Sequence, residues 1–480
     1  MKKITALLLV GAMLLALLCA CSSTTEPKAD DQTDAAPSTA QDTTDAADDT
    51  AQDTATDQVI DLVLWHNRSG TNGEAVNSLI EKFNSTVGSE KGIHVTSVRQ
   101  DDSIVSTFKT LLYAKDMDNM PDLATLYAGD VEYASTVDCI VPLDDLIAND
   151  DSFSTDEIVP SLLSTYNYMG TQYSLPFHGD TTVLYYNKTA FAAAGLDPDT
   201  PPTTIAEMAD CAKKLLIKDG DTVKQYAITL GLQNCYLNNW IADQGDVYYL
   251  GNNEAGRSGR MTKVTFDTDG TMLTLLNEWQ KVIDTGAVQS IESGDQPKDE
   301  FCAGLSAMFI GGQWAMTSIE EAAAETGFEL GVARLPKVRE SDIGGVCPGG
   351  TSMYIINKDD DARVQASWEF MKWWVSAENQ AEFCKLTKYI PVNVHAFESE
   401  DIQSWLAENP NYRVAFDALN DTDPRIQEQL APTQQEFQTI FLDTCQSWAM
   451  GEISAEDCVR IMAEKCNAAL DEYNAANPIN

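Results

Sequence analysis

VIDLVLWHNRSGTNGEAVNSLIEKFNSTVGSEKGIHVTSV, residues Val59–Val98, decides how the chain is built. Val59–Trp65 is apolar at every position but Asp61 and of strand length, and reads as a buried strand. His66–Gly73 is polar and glycine-containing and reads as a loop. From Glu74 to Val87 the apolar residues Val76, Leu79, Ile80, Phe83 and Val87 recur at helical spacing and fall on one face. Thr71 and Glu74 have the spacing of a capping box. Ile93–Val98 is a second strand, so the chain opens β-α-β. Further strands are predicted at Asp122–Tyr127, Thr182–Tyr186, Tyr226–Leu230, Gly331–Leu335 and Ser352–Ile356. Helical patterns lie between them, and the chain becomes mostly helical after Asp401, with helices at Thr433–Met450 and Ser454–Tyr473. Strands alternating with helices predict an α/β architecture. A length of 480 residues exceeds what one hydrophobic core usually serves, so two lobes are expected.

The segment before Val59 has a different character. Met1-Lys2-Lys3 is basic, Ile4–Leu18 is apolar but too short to span a bilayer, and Leu18-Cys19-Ala20-Cys21 places a small residue before a cysteine. This ending resembles a bacterial lipobox. The expectation is a leader, residues 1–20, cleaved before a lipidated Cys21. Ser22–Gln58 is rich in Asp, Thr, Ala, Gln and Ser with almost no apolar mass, the composition of a disordered acidic tether. As a coil it would reach on the order of 35 Å.

Charge excludes several partners. The formal net charge is −43. Nucleic-acid binding needs clustered Lys and Arg to neutralise phosphates, and no such cluster is present. Anionic lipid surfaces are disfavoured for the same reason, and the far field repels anionic ligands. Eleven cysteines include Cys19 of the leader and Cys21, the expected anchor; the other nine form no CxxC pair and no zinc-type spacing with the four histidines. No metal or cofactor is expected. Nine is odd, so at least one thiol stays free, and no pairing follows from spacing.

Two stretches carry a resemblance. One is YSLPFHGDTTVLYYNKTAFAAAGLDPDTPPTTIAEMADCAKKL, Tyr173–Leu215. The other runs from Cys302 to Asn393 and includes AMFIGGQWAM, GVARLPKV, PGGTSMYIINK, ASWEFMKWWVSAENQAEF and TKYIPVN. WAMGEISAEDCV, Trp448–Val459, adds a matching tail helix. Together they resemble the family 1 extracellular solute-binding proteins of ABC importers, which take up saccharides and glycerol-3-phosphate. The resemblance implies a type II two-lobe fold, with discontinuous lobes that close over a solute by hinge rotation. Lobe 1 would comprise 59–177 and 346–396, and lobe 2 would comprise 178–345 and 397–480. It also implies a monomer that hands its solute to a permease outside a Gram-positive cell membrane, and no catalysis.

The candidate site residues follow from strand ends and from the resemblance. Asn67, Arg68 and Ser69 lie between the first strand and a helix N-terminus, where free N–H groups can hold a hydroxyl or an anion. Asp130 ends another strand. His178 and Asp180 lie at the first lobe crossing, where a carboxylate can accept from vicinal sugar hydroxyls. Trp240 and Trp314 are candidates to cover a pyranose face, which an aromatic ring buries without hydrogen-bond demands. Gly350 belongs to a Gly-Gly loop that the family brings close to solute, and Tyr389 matches a tyrosine that reaches the cleft. Trp279, Trp368, Trp373, Trp374, Trp405 and Trp448 are read as packing. The glycerol-3-phosphate binders place a glutamate where Ala128 stands. They also hold an arginine near a region that reads Val414-Ala415-Phe416-Asp417 here, with Arg413 out of register. Both departures favour a neutral saccharide. The alternatives are a glycerophosphate ligand held by Arg68, Arg99 or Arg413, and a secreted glycosidase with paired carboxylates. No nucleophile elbow or cofactor fingerprint supports the glycosidase.

Overall fold

The computed structural model describes residues 59–100, 103–232, 234–290 and 296–478. The leader, Cys21 and the acidic tether lie outside the described residues.

The elements used below are, in chain order, β1 (Ile60–His66), α1 (Gly70–Ser85), β2 (Ile93–Arg99), β3 (Leu123–Tyr127), α2 (Pro160–Thr165), β4 (Leu175–Asp180) and β5 (Thr182–Asn187). They continue with β6 (Thr222–Leu230), α3 (Thr271–Ile283), β7 (Val288–Ser290), β8 (Ser306–Gly312), β9 (Leu330–Arg334) and β10 (Gly349–Ile355). Helices α4 (Asp361–Trp374), α5 (Ala377–Thr387), α6 (Asn411–Asn420), α7 (Gln434–Ala449) and α8 (Ala455–Ala476) complete the chain.

Two sheets organise these elements. The first has the order β2-β1-β3-β10-β4 and the second β7-β6-β8-β5-β9. In the first, β1 runs parallel to β2 and β3, with Leu64 opposite both Ser97 and Leu123. Strand β10 joins antiparallel to β3 and β4. In the second, β6 and β8 are parallel and β5 is antiparallel to β8 and β9. The chain leaves the first sheet after Asp180 and enters the second at Thr182, and it returns between Arg334 and Gly349. The sequence division at 177/178 therefore falls inside β4. The result is the α/β two-lobe fold expected.

The amphipathic pattern of α1 is realised as read. Val76, Leu79, Ile80 and Phe83 are buried, and Phe83 meets Phe370 and Trp373 edge-on at 4.9 and 5.2 Å. Its start differs from expectation. Gly70 adopts φ 54°, the helix begins there, and the Gly73 amide already donates to Ser69 O at 3.2 Å. Thr71 and Glu74 are thus inside the helix and form no capping box. The end differs too: the backbone breaks at Thr86, and Val87 opens the short helix Val87–Lys91.

One buried ion cluster ties α4 to the first sheet. Asp122 is fully buried and accepts from Arg363 Nε and Nη2, both at 2.7 Å, from Lys358 Nζ at 3.1 Å and from the Val63 amide at 2.9 Å. With four donors, the carboxylate is compensated as burial requires.

Candidate solute-binding site

The end of β1 builds the first part of the site. His66 is buried, and its Nδ1 accepts the Arg68 amide at 3.1 Å. Burial, reinforced by Arg68 and Arg99, lowers its pKa to about 4, so the imidazole is neutral and keeps the lone pair that this bond needs. The turn throws the Arg68 guanidinium forward. Its Nε and Nη2 donate to Asn67 Oδ1 at 3.0 and 2.5 Å, Nη1 donates to Tyr389 Oη at 2.8 Å, and Nη2 donates to Tyr127 Oη at 3.2 Å. Asn67 Nδ2 donates to the same Tyr127 hydroxyl at 2.7 Å. Every one of these acceptors is neutral, which leaves the positive charge of Arg68 without a paired carboxylate among its hydrogen-bond partners.

The Tyr389 ring carries the cluster onto β4. It stacks on His178 with centroids 3.9 Å apart and planes inclined by 23°. His178 is buried, and burial together with Arg68 holds its pKa well below the usual imidazole range. An Nδ1–H donating to Gly179 O at 3.4 Å leaves Nε2 as an acceptor, and that buried atom has no partner.

Asp180 ends β4 where the chain crosses between sheets. Its Oδ1 accepts the Thr181 amide at 2.9 Å and the Trp314 amide at 3.3 Å. Burial raises its pKa to about 7 even though these amides and Arg68 pull the other way. The carboxylate therefore couples the first-sheet cluster to the loop after β8. On that loop Trp314 is 48% exposed, and Lys298 Nζ stands 5.4 Å from its ring centre. Trp314, Lys298, Tyr236, Thr229 and Gln438 line a cavity of about 270 Å³ at the carboxyl end of β6.

Asn67, Arg68, His178, Tyr389, Asp180 and Trp314 are thus brought into one linked arrangement, and Ser69 stands exposed at the N-terminus of α1 beside it. Three other candidates make contacts of their own. Asp130 turns back to accept the Tyr127 amide at 3.1 Å, closing the turn after β3. Trp240 is 1% exposed, donates its indole N–H to Pro336 O at 2.8 Å and packs edge-on against Trp279, so it is wall rather than a free stacking face. Gly350 has φ 110°, and a Cβ there would lie 2.2 Å from His178 O; its neighbour on β4 explains the glycine without a ligand. Arg413 is bound to Asp417 at 3.0 Å on an exposed face of α6.

Sequence reasoning missed Tyr127, His66 and Lys298. Tyr127 carries a usable signal, being an aromatic at the end of a predicted strand, and it is 52% exposed. Among the described residues no group of three His, Cys, Asp or Glu side chains is placed to hold a metal ion.

The arrangement suits capture rather than turnover: hydroxyl-directed donors, a carboxylate acceptor and an open aromatic face, on two sheets joined by crossing segments. Residues 78–411 match the family of bacterial extracellular solute-binding proteins. The chain belongs to that family. This solute-binding protein is 29% identical over 366 residues to the sn-glycerol-3-phosphate-binding periplasmic protein UgpB of Pectobacterium atrosepticum, covering 74% of this chain and 78% of the relative. To UgpB of Rhizobium meliloti it is 24% identical over 360 residues, covering 73% and 79%. Its fold resembles the cyclic alpha-maltosyl-1,6-maltose binding protein of Arthrobacter globiformis, with TM-score 0.70, 22% identity and coverage of 86% and 99%. It also resembles UgpB of Mycobacterium tuberculosis in complex with glycerophosphocholine, with TM-score 0.67, 22% identity and coverage of 86% and 98%. The solute-binding protein is accordingly an extracytoplasmic component of an ABC importer and not an enzyme. Among the described residues no helix is long and apolar enough to cross a membrane.

Proposed function

We propose that this protein captures a saccharide between its lobes and delivers it to the importer's permease while held at the membrane by lipid on Cys21. The observation that carries the saccharide reading is Trp314. Its side chain is half exposed and lines a cavity of about 270 Å³ on the second-sheet side, while its backbone amide donates to the Asp180 carboxylate at the crossing between the sheets. A sugar ring offers C–H faces to the indole and vicinal hydroxyls to the carboxylate. The solved structures of similar fold that are described as a cyclic alpha-maltosyl-1,6-maltose binding protein and a sugar-binding protein support this reading. Ala128, where the glycerol-3-phosphate binders have a glutamate, and Arg413, engaged with Asp417, argue against a phosphate ester.

In this reading Asn67, Arg68, Ser69, His178, Asp180 and Tyr389 face the solute from the lobe of the first sheet, which takes in β4 through Asp180, and Trp314 from the lobe of the second, and the protein acts as a monomer. Titration calorimetry with maltotriose and related saccharides, on wild type and Trp314→Ala, tests it. The expected result is binding that the substitution weakens at least tenfold, since stacking on a sugar face contributes about 1.5 kcal/mol or more. Equal binding by the variant contradicts it.

A second reading has one observation in its favour. Arg68 presents a guanidinium whose hydrogen-bond partners are all neutral, which an anionic phosphodiester would complement. The UgpB relatives agree with it. Glycerophosphocholine or sn-glycerol-3-phosphate binding that Arg68→Gln abolishes would establish it. For the anchor, a Cys21→Ala protein that stays membrane-bound would refute lipidation.

A further inference from the structure

The segment Gly251–Thr265 contains the longest run of left-handed backbone among the described residues. Asn253, Glu254 and Ala255 are consecutive and all left-handed, with φ 54°, 52° and 55°, followed by Gly256 at 92°. L-residues visit this region singly, so a run of three persists only where surrounding contacts over-determine it. Those contacts are present. Asn252 Oδ1 accepts the Thr262 and Lys263 amides at 2.9 and 3.1 Å, and Asn253 Nδ2 donates to Arg260 O at 2.7 Å. The Leu430 amide donates to Ala255 O at 2.7 Å, and any Cβ at Gly256 would lie 2.2 Å from Leu430 O. The Val264 amide donates to Asn467 Oδ1 at 2.9 Å, which fastens the segment to α8.

A turn so constrained presents two arginines rigidly, and both reach elements on the first-sheet side. Arg257 Nη1 donates to Thr165 O at the end of α2 at 2.9 Å, while its Nε and Nη2 hold Glu428 O at 3.1 and 2.9 Å. The Met169 amide donates to Arg257 O at 3.3 Å. Arg260 is fixed from behind by the Tyr473 ring, 5.5 Å from its centre, and by Asn477 O at 2.6 Å. In front, its Nε pairs with Glu132 Oε1 at 3.2 Å, on the short helix Val131–Ala134 that follows β3. Both side chains of this pair are largely buried, at 23% and 17% exposure.

We propose that Gly251–Thr265 is an interlobe clasp, with Arg257 as its pivot and the Arg260–Glu132 pair as its latch, and that it sets the balance between open and closed lobes. The inference rests on the two-lobe hinge but on no identity for the solute. The strained turn removes slack between α8 and the two guanidinium groups, so lobe separation must break the latch instead of being absorbed by the loop. Arg257 and Arg260 are therefore positioning residues for capture.

Small-angle scattering of the unliganded full chain tests this for wild type, Arg260→Gln, Glu132→Gln and the reversed pair Glu132→Arg with Arg260→Glu. Both single variants should shift the lobes roughly threefold to fivefold toward the open population, the worth of an ion pair that keeps some solvent contact, and so enlarge the radius of gyration. The reversed pair should return toward the wild-type value. Glu132→Gln is near-isosteric and leaves the Arg260–Asn477 contact in place, so it separates the latch from general packing. Unchanged scattering in both single variants overturns the clasp, whatever happens to the melting temperature. Expansion with Arg260→Gln alone also overturns it, because that result assigns the effect to the C-terminal anchor.

Discussion

Asp180 concentrates the chemistry of the site in one group. Its carboxyl is buried at the junction of the two sheets and is raised to about 7, chiefly by burial. The sign of the consequence follows from linkage: with a folded pKa above the unfolded one, the native state holds more protons between the two values. Stability from this group is full below about pH 4 and falls as pH rises toward 7. Asp180→Asn should remove that decline, and melting temperatures of wild type and variant between pH 4 and 8 measure it; parallel curves would contradict the assignment. The placement of Asn67 and Arg68 was legible in the sequence, because a polar loop after a buried strand and before a helix puts them at the strand's end, but their contacts to Tyr127 and Tyr389 were not. The contacts that Asp130 and Trp240 make in the structure were not legible in the sequence. A carboxylate at a strand end can cap its own turn, and a tryptophan can satisfy its N–H on a backbone carbonyl, and neither alternative has a distinct sequence signature.

Elements recovered from the sequence were those with a sustained apolar pattern, such as β1 apart from Asp61, α1 and α8. Strand β4 was not, because LPFHGD carries a proline, a glycine and a terminal aspartate, all unfavourable in isolation. It exists because β10 pairs along it, with Thr351 opposite His178 and Gly350 opposite Gly179. That close approach makes Gly350→Ala a test of the pairing. A Cβ cannot fit 2.2 Å from His178 O at φ 110°, and the substitution should cost about 2 kcal/mol or more in a denaturant titration. An unchanged midpoint would show that β4 and β10 are less closely joined. The Asp122 cluster is the corresponding joint between α4 and the first sheet. Asp122→Ala strands Arg363 and Lys358 and should destabilise the protein by about 3–5 kcal/mol, read in the same titration.

At the scale of the whole molecule, two sheets exchange strands through Thr181 and the return before Gly349, so the site residues of β1, β4, β8 and the Tyr389 loop converge only when both lobes are folded. The family and the two-lobe plan were legible because long stretches carry them in order. The solute was not, because it depends on side-chain placement: Trp314 open, Trp240 closed, Arg68 ringed by neutral oxygens. The most direct test is a melting-temperature panel of maltose-type, mannose-type and cyclic saccharides run beside sn-glycerol-3-phosphate and glycerophosphocholine. Saturable stabilisation by a saccharide is expected, about 2.7 kcal/mol at a hundredfold excess over its Kd, with no response to the phosphate compounds. Stabilisation by the phosphate compounds alone would contradict it.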